Sequence, residues 1–124
     1  SYNSPILIGT VQEIENTLTV GDGLSRYLGD NYDGWMYKDK CGKLFDRKKK
    51  AGYWPLLNFW MAIYYAKAKN LRKALIYFHK ALADLKKDGE IPEQIFDNDI
   101  QISVKPLCWS HAMFVIAAKE LKEF

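Results

Sequence analysis

The sequence predicts an all-α chain, and two observations carry that prediction. Apolar residues recur at helical spacing in four segments, whereas the best candidate for a strand, residues 101–104, is short. Hydrophobic residues make up 48% of the 124 positions, which is enough to build the core of one ordinary domain. We therefore expect four helices packed around a shared core.

The first helix is predicted over residues 5–18. Ser4 suits the N-cap, because its hydroxyl can accept from a free amide of the first turn, and Pro5 suits the first helical position. Gly21 and Gly23 favour an end soon afterwards. The apolar stripe of this helix has a member in nearly every turn: Leu7, Val11, Ile14 and Leu18.

The other three helices are predicted over residues 54–69, 71–87 and 106–121. The second of the four is apolar around nearly its whole circumference, so we expect it to be deeply buried. Asn70 suits the N-cap of the third helix, whose leucines repeat at helical spacing.

Two long connections, residues 21–53 and 88–105, separate these helices. The first is rich in Gly, Asp, Asn and Tyr as far as Gly34 and then becomes basic, with a small hairpin expected near residues 41–42. Loops of this length inside a compact domain usually mean function or disorder. Because long and short connections alternate, the long ones should meet at one end of the helices, and that end would hold the site.

The composition argues against several classes of protein. A net charge of +3 is too small to indicate nucleic-acid binding, and no apolar run approaches the ~20 residues that span a bilayer. Cys41 and Cys108 form neither a metal pattern nor a disulfide framework, so we interpret both as free thiols in a reducing, cytoplasmic compartment. The sequence predicts no metal site and no cofactor.

Four short motifs stand in the long connections and at the helix starts. Residues 23–32 read Gly-Leu-Ser-Arg-Tyr-Leu-Gly-Asp-Asn-Tyr, and residues 53–56 read Tyr-Trp-Pro-Leu. Residues 91–94 read Ile-Pro-Glu-Gln, and residues 106–112 read Pro-Leu-Cys-Trp-Ser-His-Ala. In this order the motifs resemble the catalytic domain of glycoside hydrolase family 15, the glucoamylase, glucodextranase and trehalase-like family. Each motif is short, and the order of all four makes the resemblance specific.

The resemblance implies an (α/α)6 barrel, of which residues 1–124 would be the C-terminal part, with about four of its twelve helices. Residues 35–52 have no counterpart in the family pattern and would be an inserted loop. The family's general acid would lie upstream of Ser1. The chain would therefore need the remainder of the same barrel, as an upstream segment or a companion chain, and would expose apolar faces of its second and third helices without it.

Glu93 is the catalytic residue that the resemblance implies. Inverting glycosidases use one carboxylic acid to protonate the leaving oxygen and one carboxylate to activate water, and Glu93 would be that base. A base must be ionised, so we expect hydrogen-bond donors and some solvent around it. From its position alone, Glu93 would be interpreted as a solvated surface glutamate, since most loop carboxylates are; the motifs favour the base.

Four other residues of the motifs are expected to bind the sugar. Arg26 offers a planar, two-pronged donor to hydroxyl groups, and Asp30 could accept from hydroxyls or hold Arg26. The alternative is an Arg26–Asp30 pair that only shapes the loop. Tyr32 and Trp54 are expected to stack on the sugar or contact its hydroxyls.

The remaining motif residues are expected to support the site. Tyr27, like Trp60 nearby, is expected to pack in the core. His111 is expected to be a satisfied inner-face residue, or to donate to a loop carbonyl. Four residues are expected to hold the Glu93 loop in place. One is its neighbour in the same motif, and three start the next helix: Gln94, Trp109, Ser110 and His111.

The leading hypothesis is an exo-acting, inverting glucan hydrolase that releases glucose from α-linked oligosaccharides. Its expected partner is an α-glucan oligosaccharide or related glucoside, with no nucleic acid and no membrane. The alternative is a non-catalytic carbohydrate-binding or regulatory module of the same fold. A helical-hairpin scaffold of the tetratricopeptide sort ranks last, because no repeat of about 34 residues is present.

Overall fold

A computed structural model describes residues 1–32, 34, 50–83, 85–98 and 101–122. This part of the chain is mostly helical. The predicted hairpin near residues 41–42, Cys41 and most of the predicted insertion lie outside the described residues. The elements in chain order are α1 (Pro5–Leu18), β1 (Thr19–Val20), β2 (Gly23–Leu24), α2 (Pro55–Lys67), α3 (Leu71–Ala81), α4 (Leu85–Asp88) and α5 (Cys108–Lys122).

Helix α2 packs between α3 and α5 and forms the centre of the core. Phe59 is fully buried, and its ring meets Phe78 of α3 and Phe114 of α5 edge-on at centroid distances of 5.7 and 6.0 Å. The deep burial predicted for this helix is confirmed. A second cluster joins α2 to α1, α3 and β2, and its buried members are Val11, Leu24, Met61, Tyr65, Ala66 and Ala74.

A polar cluster around Glu15 ties α1 to α2 and α3. Its Oε1 accepts hydrogen bonds from the hydroxyls of Tyr65 and Tyr77 at 2.7 and 2.9 Å, and Lys73 Nζ lies 3.0 Å from Oε2. Burial opposes the ionisation of Glu15, but the hydrogen bonds from these three residues outweigh it and lower the pKa of the carboxyl group.

The helix starts follow the predicted caps, and one predicted helix is divided. The Ser4 and Asn70 side chains accept from the amides of Leu7 and Lys73, as expected for N-caps. The predicted third helix ends at Ala81 and resumes only as α4. The Tyr53 hydroxyl donates to the carbonyl of Lys80 at 3.1 Å, so a side chain satisfies a carbonyl at the end of α3.

Two features join the long connections to the helices. Strands β1 and β2 form a small antiparallel hairpin that the sequence did not predict, with Gly21 at φ +54° in its turn. Tyr53 and Ile95 form a bridge through N–H···O contacts of 3.1 and 2.8 Å, which brings the two long connections together. The predicted meeting of the long connections is confirmed.

Large apolar side chains are exposed on several helices. The sequence predicted this for the second and third helices, but α2 is mostly buried and its large exposed apolar residue is Trp60. None of the helices in the described ranges is long and apolar enough to cross a membrane. The other exposed helical residues of this kind are Ile6, Ile8, Leu71, Leu75, Ile76, Trp109, Val115 and Ile116.

Candidate functional site

An Arg26–Asp30 fork forms the first part of the site, directly after the β1–β2 hairpin. Nε and Nη2 of Arg26 donate to the two carboxylate oxygens of Asp30 at 2.9 and 2.8 Å. The Asp30 side chain is 0% exposed, and its Oδ1 also accepts from the backbone N–H of Tyr32 at 3.1 Å. These bonds, led by those from Arg26, lower the pKa of Asp30, so the buried carboxyl group is held as an anion.

The Arg26 guanidinium lies against three aromatic rings. Its central carbon is 4.6 Å from the ring centroid of Trp54 and 5.3 Å from those of Tyr27 and Tyr32. The rings of Tyr32 and Trp54 are themselves 6.3 Å apart. Cation–π attraction therefore adds to the Asp30 fork in fixing the guanidinium. Two of the donor groups of Arg26 are already directed at Asp30, which favours the loop-shaping interpretation of that pair.

Glu93 joins this cluster from the second long connection. Its backbone N–H donates to the carbonyl of Val104 at 2.8 Å, two residues before the Tyr53–Ile95 bridge. Burial raises the pKa of Glu93, while a hydrogen bond from Tyr32 and the positive charge of Arg26 act in the opposite direction. Oε2 of Glu93 is shielded from solvent and has no hydrogen-bond partner among the described residues.

The surroundings of Glu93 match the expectation of hydrogen-bond donors and some solvent only in part, because the residue is half-buried and bonded to Tyr32 while its Oε2 is shielded. Burial is the largest influence on its pKa, and it acts against the charged form. The sequence could not indicate this burial, because it depends on contacts between segments that are distant along the chain.

Ser110 and His111 hold the Glu93 loop from the first turn of α5. The buried Ser110 hydroxyl donates to the carbonyl of Pro92 at 3.0 Å. The backbone N–H of Ile91 donates to Nε2 of His111 at 2.9 Å, and its carbonyl accepts from the N–H of Leu107 at 3.0 Å. Through Nε2, His111 thus accepts a hydrogen bond from the loop, which fits the expected satisfied side chain and differs from the alternative of donation to a loop carbonyl. Because the chain at Leu107 pairs with this loop, α5 starts at Cys108, two residues later than predicted.

Gln94 fixes the other side of the loop. Its Oε1 accepts from the backbone N–H of Gly52 at 3.0 Å, and its own N–H donates to Oγ of Ser103 at 2.7 Å. A Cβ atom at position 52 would collide with the Ile95 backbone and the Phe96 ring, so a glycine is required there. Sequence reasoning missed Ser103 and Gly52, because nothing in their local sequence marks either as a partner of Gln94.

Three aromatic residues are placed differently from the expectations. Tyr27 and Trp60 were expected in the core but are 50% and 46% exposed. Trp109, expected beneath the Glu93 loop, is 55% exposed and meets Trp60 edge-on at 6.0 Å. The indole N–H of Trp60 also donates to the sulfur of Met113, at 2.9 Å. These aromatic side chains therefore form part of the surface.

A cleft of about 550 Å³ lies apart from the Glu93 cluster, beyond the Tyr53–Ile95 bridge. It contains none of the predicted site residues. No group of three or more metal-ligating side chains is found within the described ranges. The polar residues that line the cleft are Asp22, Lys50, Asp97, Asn98 and Gln101.

The fold is similar to part of several solved glycosidase structures. A wild-type glycosidase matches with a TM-score of 0.77 and 22% identity over 98% of this chain, as does a glutamate-to-alanine variant in complex with glucose. A phenylalanine-to-tyrosine variant matches with a TM-score of 0.75 and 23% identity. The chain spans about a third of these proteins, 32% of each. No protein-family model matches the chain, and no curated protein matches it. The chain thus has the fold of about one third of a glycosidase.

Proposed function

We propose that this chain supplies the catalytic base and part of the sugar-binding site of an inverting exo-glucan hydrolase of the glucoamylase type. One observation carries the proposal. Glu93, Arg26, Tyr32 and Trp54 come from three separate segments, and their side chains form one cluster. A glutamate that was only a solvated loop residue would not be expected to accept a hydrogen bond from Tyr32 near the positive charge of Arg26.

The electrostatics of the cluster suit a general base. Proton acceptance is most efficient when the pKa of the base lies near the working pH, and burial moves the pKa of Glu93 upward from its ordinary value of 4.5. The Tyr32 hydrogen bond and the Arg26 charge limit that rise. Glu93 would therefore be a stronger base than an exposed glutamate and would still ionise to activate water.

The general acid would come from the remainder of an (α/α)6 barrel, of which residues 1–124 would form the C-terminal part with an insertion at residues 35–52. Two observations support this arrangement. The matched glycosidases are about three times as long as this chain, and apolar side chains on α1, α3 and α5 are exposed in the described part. The exposed Trp109 and Val115 would be covered by the missing helices, either in the same polypeptide or in a companion chain.

The proposed substrate is an α-linked glucose oligosaccharide, from which glucose is released. The support is the family resemblance of the motifs, together with the glucose complex of one matched glycosidase. A non-catalytic carbohydrate-binding module of the same fold is the second candidate. The observation that favours it is that Asp30, the other carboxyl group described in the cluster, is held as an anion by Arg26 and so cannot serve as the general acid.

A comparison of two glutamates on the same loop tests the proposal. Glu93→Gln should lower turnover of maltose-type substrates, dextran or trehalose by about 10²–10⁴-fold, whereas Glu90→Gln, three residues earlier, should leave it unchanged. Proton NMR of the first product should show β-glucose, the inverted anomer. Retained turnover in Glu93→Gln would remove Glu93 from the mechanism. Binding of these sugars by the intact protein without any turnover would favour the second candidate.

A further inference from the structure

The indole N–H of Trp54 is a buried donor with no role in the proposed reaction. Trp54 is 6% exposed, and its Nε1 is shielded from solvent with no hydrogen-bond partner in the part of the chain that the structure describes. Buried tryptophan N–H groups usually find a partner, since an unpaired buried donor is costly. The position of Trp54 within the Arg26 cluster points to a ligand as that partner.

The Trp54 ring is poorly placed to act as a stacking platform. The Arg26 guanidinium lies 4.6 Å from its centroid, and the Tyr32 ring is tilted against it at 6.3 Å. These two neighbours already occupy much of the surface that a sugar ring would need. The N–H group at the edge of the indole is the polar group of Trp54, and it still lacks a partner among the described residues.

Glu93 provides the complementary group. Its Oε2 is a shielded acceptor without a partner among the described side chains, and Glu93 is linked to Trp54 through their shared neighbours Arg26 and Tyr32. The cluster thus holds one unused donor and one unused acceptor. A hydroxyl group can satisfy both, because its oxygen accepts from N–H while its hydrogen is donated to a carboxylate.

We propose that Trp54 Nε1 and Glu93 Oε2 together bind a single hydroxyl group, and that Trp54 is a positioning residue for the reaction assigned to Glu93. The hydroxyl group would belong either to the attacking water or to the sugar. The part concerning the reaction rests on the proposed function. The binding of a hydroxyl group by the Trp54 N–H does not require that Glu93 act as a base.

Trp54→Phe removes the N–H donor and keeps an aromatic ring. We expect kcat/KM for maltotriose to fall by about 10-fold or more, because the hydroxyl group would lose its hydrogen bond from Trp54 and would be held by Glu93 alone. Trp60→Phe is the matched control: it removes the indole N–H of a tryptophan within α2, the helix that Trp54 precedes, and that N–H contacts Met113 outside the cluster. This control should keep kcat/KM within about twofold, since surface changes are usually mild.

The kinetic parameters distinguish the two sources of the hydroxyl group. If it belongs to water, Trp54→Phe should lower kcat with KM and the calorimetric affinity for glucose unchanged. If it belongs to the sugar, KM should rise and the affinity for glucose should fall by a similar factor. A role in packing alone would lower the melting temperature and would not separate kcat from KM in this way.

An isosteric replacement keeps the test decisive if Trp54→Phe is unstable. Substitution of Trp54 by 3-benzothienylalanine preserves the bicyclic shape and replaces the N–H group by sulfur. Unchanged kcat/KM and glucose affinity in a variant that melts at the wild-type temperature would overturn the inference. If Glu93→Gln is inactive in the same series, this outcome overturns the inference about Trp54 and leaves the proposed function intact. If Glu93→Gln stays active, the proposed function fails, whatever the Trp54 variants do.

Discussion

Asp30 holds both prongs of Arg26, at 2.9 and 2.8 Å, through a carboxylate that is fully buried. The guanidinium in turn lies over Trp54 and contributes a positive charge near Glu93. A residue in the first long connection thereby fixes the electrostatic environment of a carboxylate more than sixty positions later in the chain. This relationship links the loop to the proposed chemistry.

Asp30→Asn should destabilise the fold and weaken the site together. One prong of the fork loses its charged acceptor, so we expect the free energy of unfolding to fall by about 1–2 kcal/mol, a range discounted for the partial exposure of Arg26. Urea unfolding measures this. Asp22→Asn, which alters a more exposed pair with Lys80, should change it by less than about 0.5 kcal/mol. Equal effects at the two positions would contradict the special role of Asp30.

Tyr32→Phe should move the acidic limb of the pH–activity profile. The Tyr32 hydroxyl lowers the pKa of Glu93, so its removal should raise that pKa further, and the limb should shift to higher pH. The profile of kcat/KM reports the pKa of the free enzyme. Tyr2→Phe, an exposed change far along the chain, should leave the limb in place. A shift to lower pH in Tyr32→Phe would show that Tyr32 does not stabilise the Glu93 anion.

Glu15→Gln should loosen α1 and reduce the pH dependence of stability. The pKa of Glu15 is lowered on folding, so its contribution is fully present above the ordinary value of 4.5 and is lost as the pH falls through the lowered folded value. The substitution should cost about 1–3 kcal/mol at neutral pH. Unfolding measurements should show wild type and variant differing at neutral pH and converging as the pH falls below the lowered pKa of Glu15. Glu13→Gln, on the exposed side of the same helix, should behave as wild type.

Ser110→Ala should displace the Glu93 loop without touching Glu93. The variant leaves the buried carbonyl of Pro92 without its donor, which should cost about 1–3 kcal/mol of stability. We expect kcat to fall more than KM rises, since the base would be misplaced and the sugar contacts of the first loop would remain. Ser4→Ala, a cap distant from this loop, should lower stability by about 1 kcal/mol and leave kcat unchanged.

Much of this arrangement could be read from the sequence because the signals are local. The caps Ser4 and Asn70 mark helix starts by their own hydrogen bonds, and the apolar character of α2 reports its burial. The motif residues Arg26 and Glu93 were identified as site candidates by their resemblance to a family, and the structure brings them into one cluster.

The features that were missed depend on contacts between distant segments. The leucine repeat continues to Leu85 and predicts an unbroken helix, whereas the helix ends at Ala81, where the distant Tyr53 donates to the Lys80 carbonyl. The exposure of Trp109 could not be anticipated, since helical spacing does not report which neighbours are present.

The most direct test of the central claim is chemical rescue of Glu93→Ala with azide on α-glucosyl fluoride. The variant should be inactive in buffer, because no group deprotonates water at the anomeric carbon. Azide needs no base, so it should attack the opposite face as fluoride leaves, restore turnover and give β-glucosyl azide. Unaided hydrolysis at the wild-type rate, or α-glucosyl azide as the product, would contradict the assignment of Glu93 as the base of an inverting enzyme.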